Sequence, residues 1–123
     1  MSKSTKDLAT NALARSLSHL EERHRNLLRD LDRIGIVLRG TIGKRMMRCG
    51  KPTCSCHADP PVLHGPYYQW TRKVAAKTVT VRLSPEQAAL LQGWNRNMRQ
   101  LDRLILKLQE LGLLAAEAAT RSS

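Results

Sequence analysis

The chain predicts an α+β fold: two long helices, packed as an antiparallel pair, flanking a small antiparallel β-sheet. Three observations carry this. Leucines recur at heptad spacing near both ends of the 123 residues. Between them the apolar period changes to two. All three cysteines fall within eight positions, 49–56, on backbone rich in Gly and Pro.

The first helix is expected over 5–38. Leu13, Leu17, Leu20, His24, Leu27, Leu31, Ile34 and Leu38 are spaced 4-3-4-3-4-3-4, an a/d stripe that only His24 interrupts. His24 reads as a packed polar residue that sets register. Ser4 or Thr5 offers a cap, while Gly35 and the β-branched Ile34, Ile36 and Val37 weaken the end of the helix, somewhere in 34–39.

Residues 39–83 are expected to hold the sheet. Val79, Val81 and Leu83 alternate with Thr78, Thr80 and Arg82, and Tyr68, Trp70 and Arg72 alternate with Gln69, Thr71 and Lys73. These are two half-buried strands of a hairpin over 67–83. Its turn falls at Val74-Ala75-Ala76-Lys77, where the Asn-Gly or Gly-Gly of a tight loop is absent, leaving the turn length open. Thr41–Met47 adds a third strand.

The second helix, over 84–119, starts clearly. Ser84-Pro85-Glu86-Gln87 supplies a Ser N-cap, Pro in the first turn and Gln at the capping-box position. Leu91, Trp94, Met98, Leu101, Ile105 and Leu108 form its stripe, widened by Leu90, Leu104 and Leu111, and fraying is expected at Arg121-Ser122-Ser123. The whole reads as a single domain, 1–123.

With no Phe in the chain and aromatics at 3%, the core must be aliphatic and thin, a setting in which small domains use a metal as a staple. Cys49-x4-Cys54-x-Cys56 supplies three thiolates from one loop, and an odd cysteine count fits a metal better than bridges. The fourth ligand is His57 or His64. Adjacent side chains point apart, so His57 is awkward beside Cys56 and His64 is preferred. A Cys3His shell is closed, so structural zinc is the expectation; an iron–sulfur cluster from the same ligands is the less favoured alternative.

Net charge is +11. Residues 39–82 carry nine basic side chains against one acid, Asp59, the electrostatic footprint of a polyanion partner. Lys44, Arg45, Arg48, Lys51, Arg72, Lys73, Lys77 and Arg82 are the expected phosphate contacts. Exposed Tyr67 or Trp70 would stack on an unpaired base, whereas Tyr68 and Trp70 can instead pack on Val79 and Val81. No Gly-rich phosphate loop, carboxylate pair or supported nucleophile is present, so no enzyme is expected. No apolar run reaches membrane-spanning length, and the N-terminus lacks the apolar stretch of a signal peptide. A cytoplasmic protein follows, nucleoid-associated if it binds DNA.

The run Cys49-Gly50-Lys51-Pro52-Thr53-Cys54-Ser55-Cys56, followed by His64-Gly65-Pro66-Tyr67-Tyr68 and then Lys77-Thr78-Val79-Thr80, resembles a family of small uncharacterised bacterial proteins, over roughly residues 36–110. In that family the motif reads Cys-Gly-Lys-Pro-x-Cys-x-Cys, then His-Gly-Pro-Tyr-Tyr, and Gly usually precedes the hairpin Lys where this chain has Ala76. Such proteins tend to be encoded near integrase or transposase genes of mobile elements. The resemblance implies that His64 is the fourth ligand and that the setting is DNA recombination or transposition. Two readings of function follow: a non-enzymatic, zinc-stabilised DNA-binding accessory protein, or a coiled-coil adaptor or homodimer that binds a recombinase through its leucine stripes.

Overall fold

A computed structural model describes residues 5–121. The element order is α1 (Thr5–Asp32), β1 (Thr41–Met47), β2 (His64–Val74), β3 (Lys77–Leu83) and α2 (Pro85–Arg121), with one 3-10 turn at Ser55–His57 between β1 and β2. The fold is α+β. The strands form one antiparallel sheet of order β1-β2-β3. The cap expected at Ser4 and the fraying at Ser122-Ser123 lie outside the described residues.

The chain divides into two compact units, residues 1–34 with 99–123 and residues 35–98. In the first, the α1 stripe behaves largely as its spacing predicts: Leu13, Leu17, Leu20, Leu27, Leu31 and Ile34 are half-buried. His24 is exposed rather than packed, because an imidazole loses less by keeping its water than by entering an aliphatic seam. In α2, Leu104 and Leu111 are buried and Leu101 and Leu108 half-buried, while Ile105 is exposed; the stripe follows Leu104 instead. Arg23 and Leu27 of α1 line one cleft with Lys107 and Glu110 of α2.

Helix α1 ends at Asp32, six residues short of the expected limit of 38. Gly35 and the β-branched pair Ile36-Val37 favour extended backbone, and the second unit captures it. Asn97 Nδ2 donates to the Ile36 carbonyl at 2.8 Å, and Asn95 Nδ2 donates to the Leu38 and Gly40 carbonyls, both at 3.0 Å. The Leu38 N–H donates to the Trp94 carbonyl at 3.1 Å. Segment 36–40 therefore satisfies its polar groups on the first turns of α2 rather than in a helix of its own.

The start of α2 is a reciprocal capping box. The Gln87 N–H donates to Ser84 Oγ at 3.1 Å and the Ser84 N–H donates to Gln87 Oε1 at 2.9 Å, which uses donors that a helix terminus otherwise leaves orphaned.

The hairpin loop is two residues long. Val74 pairs with Lys77, and Ala75 and Ala76 have φ of 49° and 67°. Both lie in the left-handed region that a tight hairpin turn demands and that Gly or Asn normally occupies. Register fixes the two faces of the sheet. Ile42, Trp70 and Val81 align on one, with Tyr68 and Leu83 beside them. Thr41, Thr71 and Thr80 align on the other.

Candidate metal centre and basic sheet face

The 16-residue connection 48–63 between β1 and β2 contains no strand and only the single 3-10 turn. So long a loop in a compact unit needs its own organiser, and its side chains supply one. Cys49, Cys54, Cys56 and His64 place their ligand atoms all within 4.8 Å of one another. Cys49 sits two residues beyond the end of β1, and His64 opens β2 opposite Met47, so the cluster closes the ends of both strands. Cys54 and Cys56 lie at the 3-10 turn, which is tied by the His57 N–H to the Cys54 carbonyl at 3.0 Å and the Ala58 N–H to the Ser55 carbonyl at 3.1 Å.

Cys49 Sγ and Cys56 Sγ are 3.6 Å apart, and Cys54 Sγ is 3.2 Å from His64 Nε2. The cysteines are free. A tetrahedral ion with bonds of about 2.3 Å to sulfur and about 2.0 Å to nitrogen holds such donors roughly 3.5–3.8 Å apart, so the cluster is compatible with a metal ion. Cys56 has no exposed surface, and its Sγ accepts the Cys49 N–H at 3.3 Å. Burial pushes the Cys56 thiol up. The Cys54 thiol is drawn down to about 6 by hydrogen bonds, first from the Cys56 backbone N–H, then from the Cys56 and His64 side chains. The Cys54 thiol is thus readily ionised, as a metal ligand must be, whereas burial resists ionisation of Cys56 unless a cation offsets the charge.

His57 stands outside the cluster. Its Nε2 lies 2.7 Å from the Cys49 carbonyl, so the ring braces the loop from behind.

The eight basic residues expected to contact phosphate divide between the two faces of the sheet and the loop. Arg45, Lys73 and Arg82 lie on the threonine face of the sheet, Lys44, Arg72 and Lys77 on the opposite face, and Arg48 and Lys51 in the loop. All are exposed except Arg72, which is half-buried. The threonine face carries Thr41, Thr71, Thr80, Thr78, Gln69 and Tyr67 among its cations and no carboxylate. Thr71 and Thr80 hydroxyls lie 3.2 Å apart, and Lys73 Nζ donates to Thr78 Oγ1 at 2.8 Å. Both candidate stacking aromatics already carry a cation. The Arg82 guanidinium lies 4.5 Å above the Tyr67 ring and the Arg72 guanidinium 3.9 Å above Trp70, geometry in which the ring quadrupole holds the charge.

The family described as Domain of unknown function (DUF6788) matches residues 17–93. The chain belongs to this family. No curated protein and no solved structure matches it. The matched span contains all four cluster residues, the whole sheet and segment 36–40 with Asn95 just beyond its edge. No helix is long and apolar enough to cross a membrane, among the described residues.

Several residues that shape this region carried no sequence signal. Asn95 and Asn97 read as ordinary polar positions on α2, yet they hold the segment that leads into β1. Thr41, Thr71 and Thr80 become a ladder only once the register is known. The period-two alternation contained their shared face, but the sequence could not align three strands.

Proposed function

We propose that this chain is a non-enzymatic nucleic-acid-binding module whose β1–β2 loop is pinned by a structural zinc ion. Three thiolates and one imidazole are the donor set that tetrahedral zinc takes in closed sites. Zinc would cross-link the loop to the ends of β1 and β2 and so fix the sheet that carries the cations. Cys49, Cys54, Cys56 and His64 would fill its shell, leaving no position for a reacting water.

The observation that carries the nucleic-acid reading is the threonine face. It combines Arg45, Lys73 and Arg82 with a hydroxyl ladder and no acid, and it belongs to a unit, 35–98, that holds ten basic and two acidic residues. Hydroxyls and cations on one sheet face suit phosphate and sugar contacts, which position a duplex or strand without reading its sequence. The resemblance drawn from the cysteine and His-Gly-Pro-Tyr-Tyr motifs makes DNA the favoured polymer and recombination or transposition the favoured setting, in the cytoplasm.

The test is fluorescence anisotropy with a labelled oligonucleotide over a salt series. Three neutralised phosphates give an affinity loss of roughly 20- to 40-fold between 50 and 200 mM salt. Arg45→Gln/Arg82→Gln flattens that slope. Weak binding, indifferent to salt and to the double substitution, sinks the reading.

A protein-adaptor reading has one observation in its favour. Leu106 and Leu113 of α2, seven residues apart, are 58% and 68% exposed, a second apolar line on a helix whose first line is already covered. Sedimentation of the free chain tests it: a concentration-dependent dimer lost in Leu106→Gln/Leu113→Gln would support an interaction role.

A further inference from the structure

We infer that the cleft between segment 38–41 and strands β2 and β3 is a seat for a phosphate group. Its volume is about 620 Å³, and Arg39, Thr71, Arg72, Lys73 and Thr78 line it, with Trp70 on its wall. Three basic residues and, with Thr41, three threonines line one space at the edge of the sheet, and no carboxylate does.

The cleft exists because of a step in the sheet. β1 begins at Thr41, opposite Thr71, while β2 runs on to Val74. Arg72 and Lys73 therefore continue past the end of β1, on opposite faces of a strand whose near edge has no partner strand. Gly40 turns the chain away at that point with φ of 111°, and Arg39 follows it round, its carbonyl held by Trp70 Nε1–H at 3.0 Å.

Arg72 supplies the second, independent observation. Its guanidinium is laid on Trp70 at 3.9 Å, which orders it before any ligand arrives. Its Nη1 is shielded from water and has no hydrogen-bond partner. A guanidinium cannot discharge itself by losing a proton. Keeping one ordered and partly desolvated is unfavourable until an anion neutralises it. A phosphate in the cleft neutralises that charge through the guanidinium's other donors, since an Nη1 that no water reaches is closed to a phosphate oxygen as well. Lys73 Nζ spends one donor on Thr78 Oγ1 and keeps two for the ligand. The volume exceeds that of a phosphate and leaves room for an attached sugar. That the phosphate belongs to a nucleic-acid backbone rests on the function proposed above; a free phosphate offers the same chemistry.

Nitrogen-15 NMR titration of the metal-loaded full chain separates these sources, with a 12-nucleotide oligothymidylate in one arm and inorganic phosphate in the other. Amide shifts at 39–41, 71–73 and 78, together with the Trp70 indole N–H, are expected in both. Arg72→Gln should weaken the oligonucleotide by roughly tenfold and lower the salt slope by about one, with Arg72→Lys in between. If phosphate fills the cleft and no oligonucleotide binds, the seat stands and serves free phosphate, and the nucleic-acid reading falls. If the oligonucleotide binds while the cleft resonances stay still and shifts gather at Arg45 and Arg82, the seat is overturned and the nucleic-acid reading stands. Silence in both arms overturns the seat.

Discussion

Cys54 Sγ lies 3.2 Å from His64 Nε2 across the mouth of the β1–β2 loop, ten residues apart in sequence. His57, next to Cys56 in the chain, turns the other way, its Nε2 on the Cys49 carbonyl. The two histidines therefore answer differently to substitution. Elemental analysis of purified protein should find one zinc per chain, lost in both Cys54→Ser and His64→Ala. His57→Ala should keep the full stoichiometry and lower metal affinity by about tenfold or more, the usual effect of removing a group that orients a ligand. Equal loss in His57→Ala and His64→Ala would move His57 into the shell.

Removing the metal exposes the thiols to a graded test. Hydrogen bonding draws the Cys54 thiol to about 6, whereas burial drives the Cys56 thiol upward. Cys54 is therefore ionised from about pH 6 upward, and only the thiolate attacks an alkylating agent. In chelated protein at pH 7, iodoacetamide should modify Cys54 first and Cys56 last, read by mass spectrometry of timed samples. The sign for stability follows from the lowered value. The ionised Cys54 contributes fully above the unfolded thiol's pKa of about 8.5, and that contribution is lost as pH falls through about 6. Identical rates at all three cysteines would mean that these hydrogen bonds do not outlast the metal.

What the sequence revealed was what local chemistry alone decides. Ser84 and Gln87 announce their helix because the capping box is closed within four residues. The cysteines announce a cluster because their spacing already confines them to one loop. His64 is preferred over His57 on an equally local ground, since the side chain of His57 points away from that of its neighbour Cys56. The rest depended on partners distant in the chain. Helix α1 stops at Asp32 because Asn95 and Asn97, about sixty residues on, accept the following segment as extended backbone. The basic residues looked like one surface in sequence and divide between two faces because alternation along β2 separates Arg72 from Lys73. Arg72 lies over Trp70 and Arg82 over Tyr67, cation contacts that only the register of the strands brings about.

The hairpin turn holds removable strain. Ala75 and Ala76 sit at φ of 49° and 67°, where a Cβ costs roughly 1 kcal/mol or more per residue relative to Gly or Asn. Ala75→Asn/Ala76→Gly should raise the stability of the chain by about 1–2 kcal/mol without altering register, since Asn-Gly is the preferred pair for a two-residue turn of this hand. Chemical denaturation of both proteins measures the gain. A loss of stability would show that the turn backbone differs from the one described.

Gly40 and Gly50 make a paired test of how segment 36–40 meets the sheet. A Cβ on Gly40 would stand 2.5 Å from Trp70 Nε1 and 2.7 Å from the Thr71 carbonyl oxygen, on backbone with φ of +111°. The Thr71 oxygen belongs to the β1–β2 pairing and cannot retreat, so Gly40→Ala must displace either Trp70 or the segment itself. The expected cost is at least about 2 kcal/mol, since strain and overpacking act together. Rupture of the Trp70 Nε1–H bond to the Arg39 carbonyl should accompany it, visible as a changed near-ultraviolet circular dichroism signal. A Cβ on Gly50 meets nothing within 4 Å, so Gly50→Ala should shift stability by no more than about 0.5 kcal/mol. Equal effects at the two positions would mean that Gly40 is not pinned between Trp70 and β2. The alternative outcome, a severe loss at Gly40 alone, ties the stacked Trp70–Arg72 pair to the one glycine that lets the chain pass behind it.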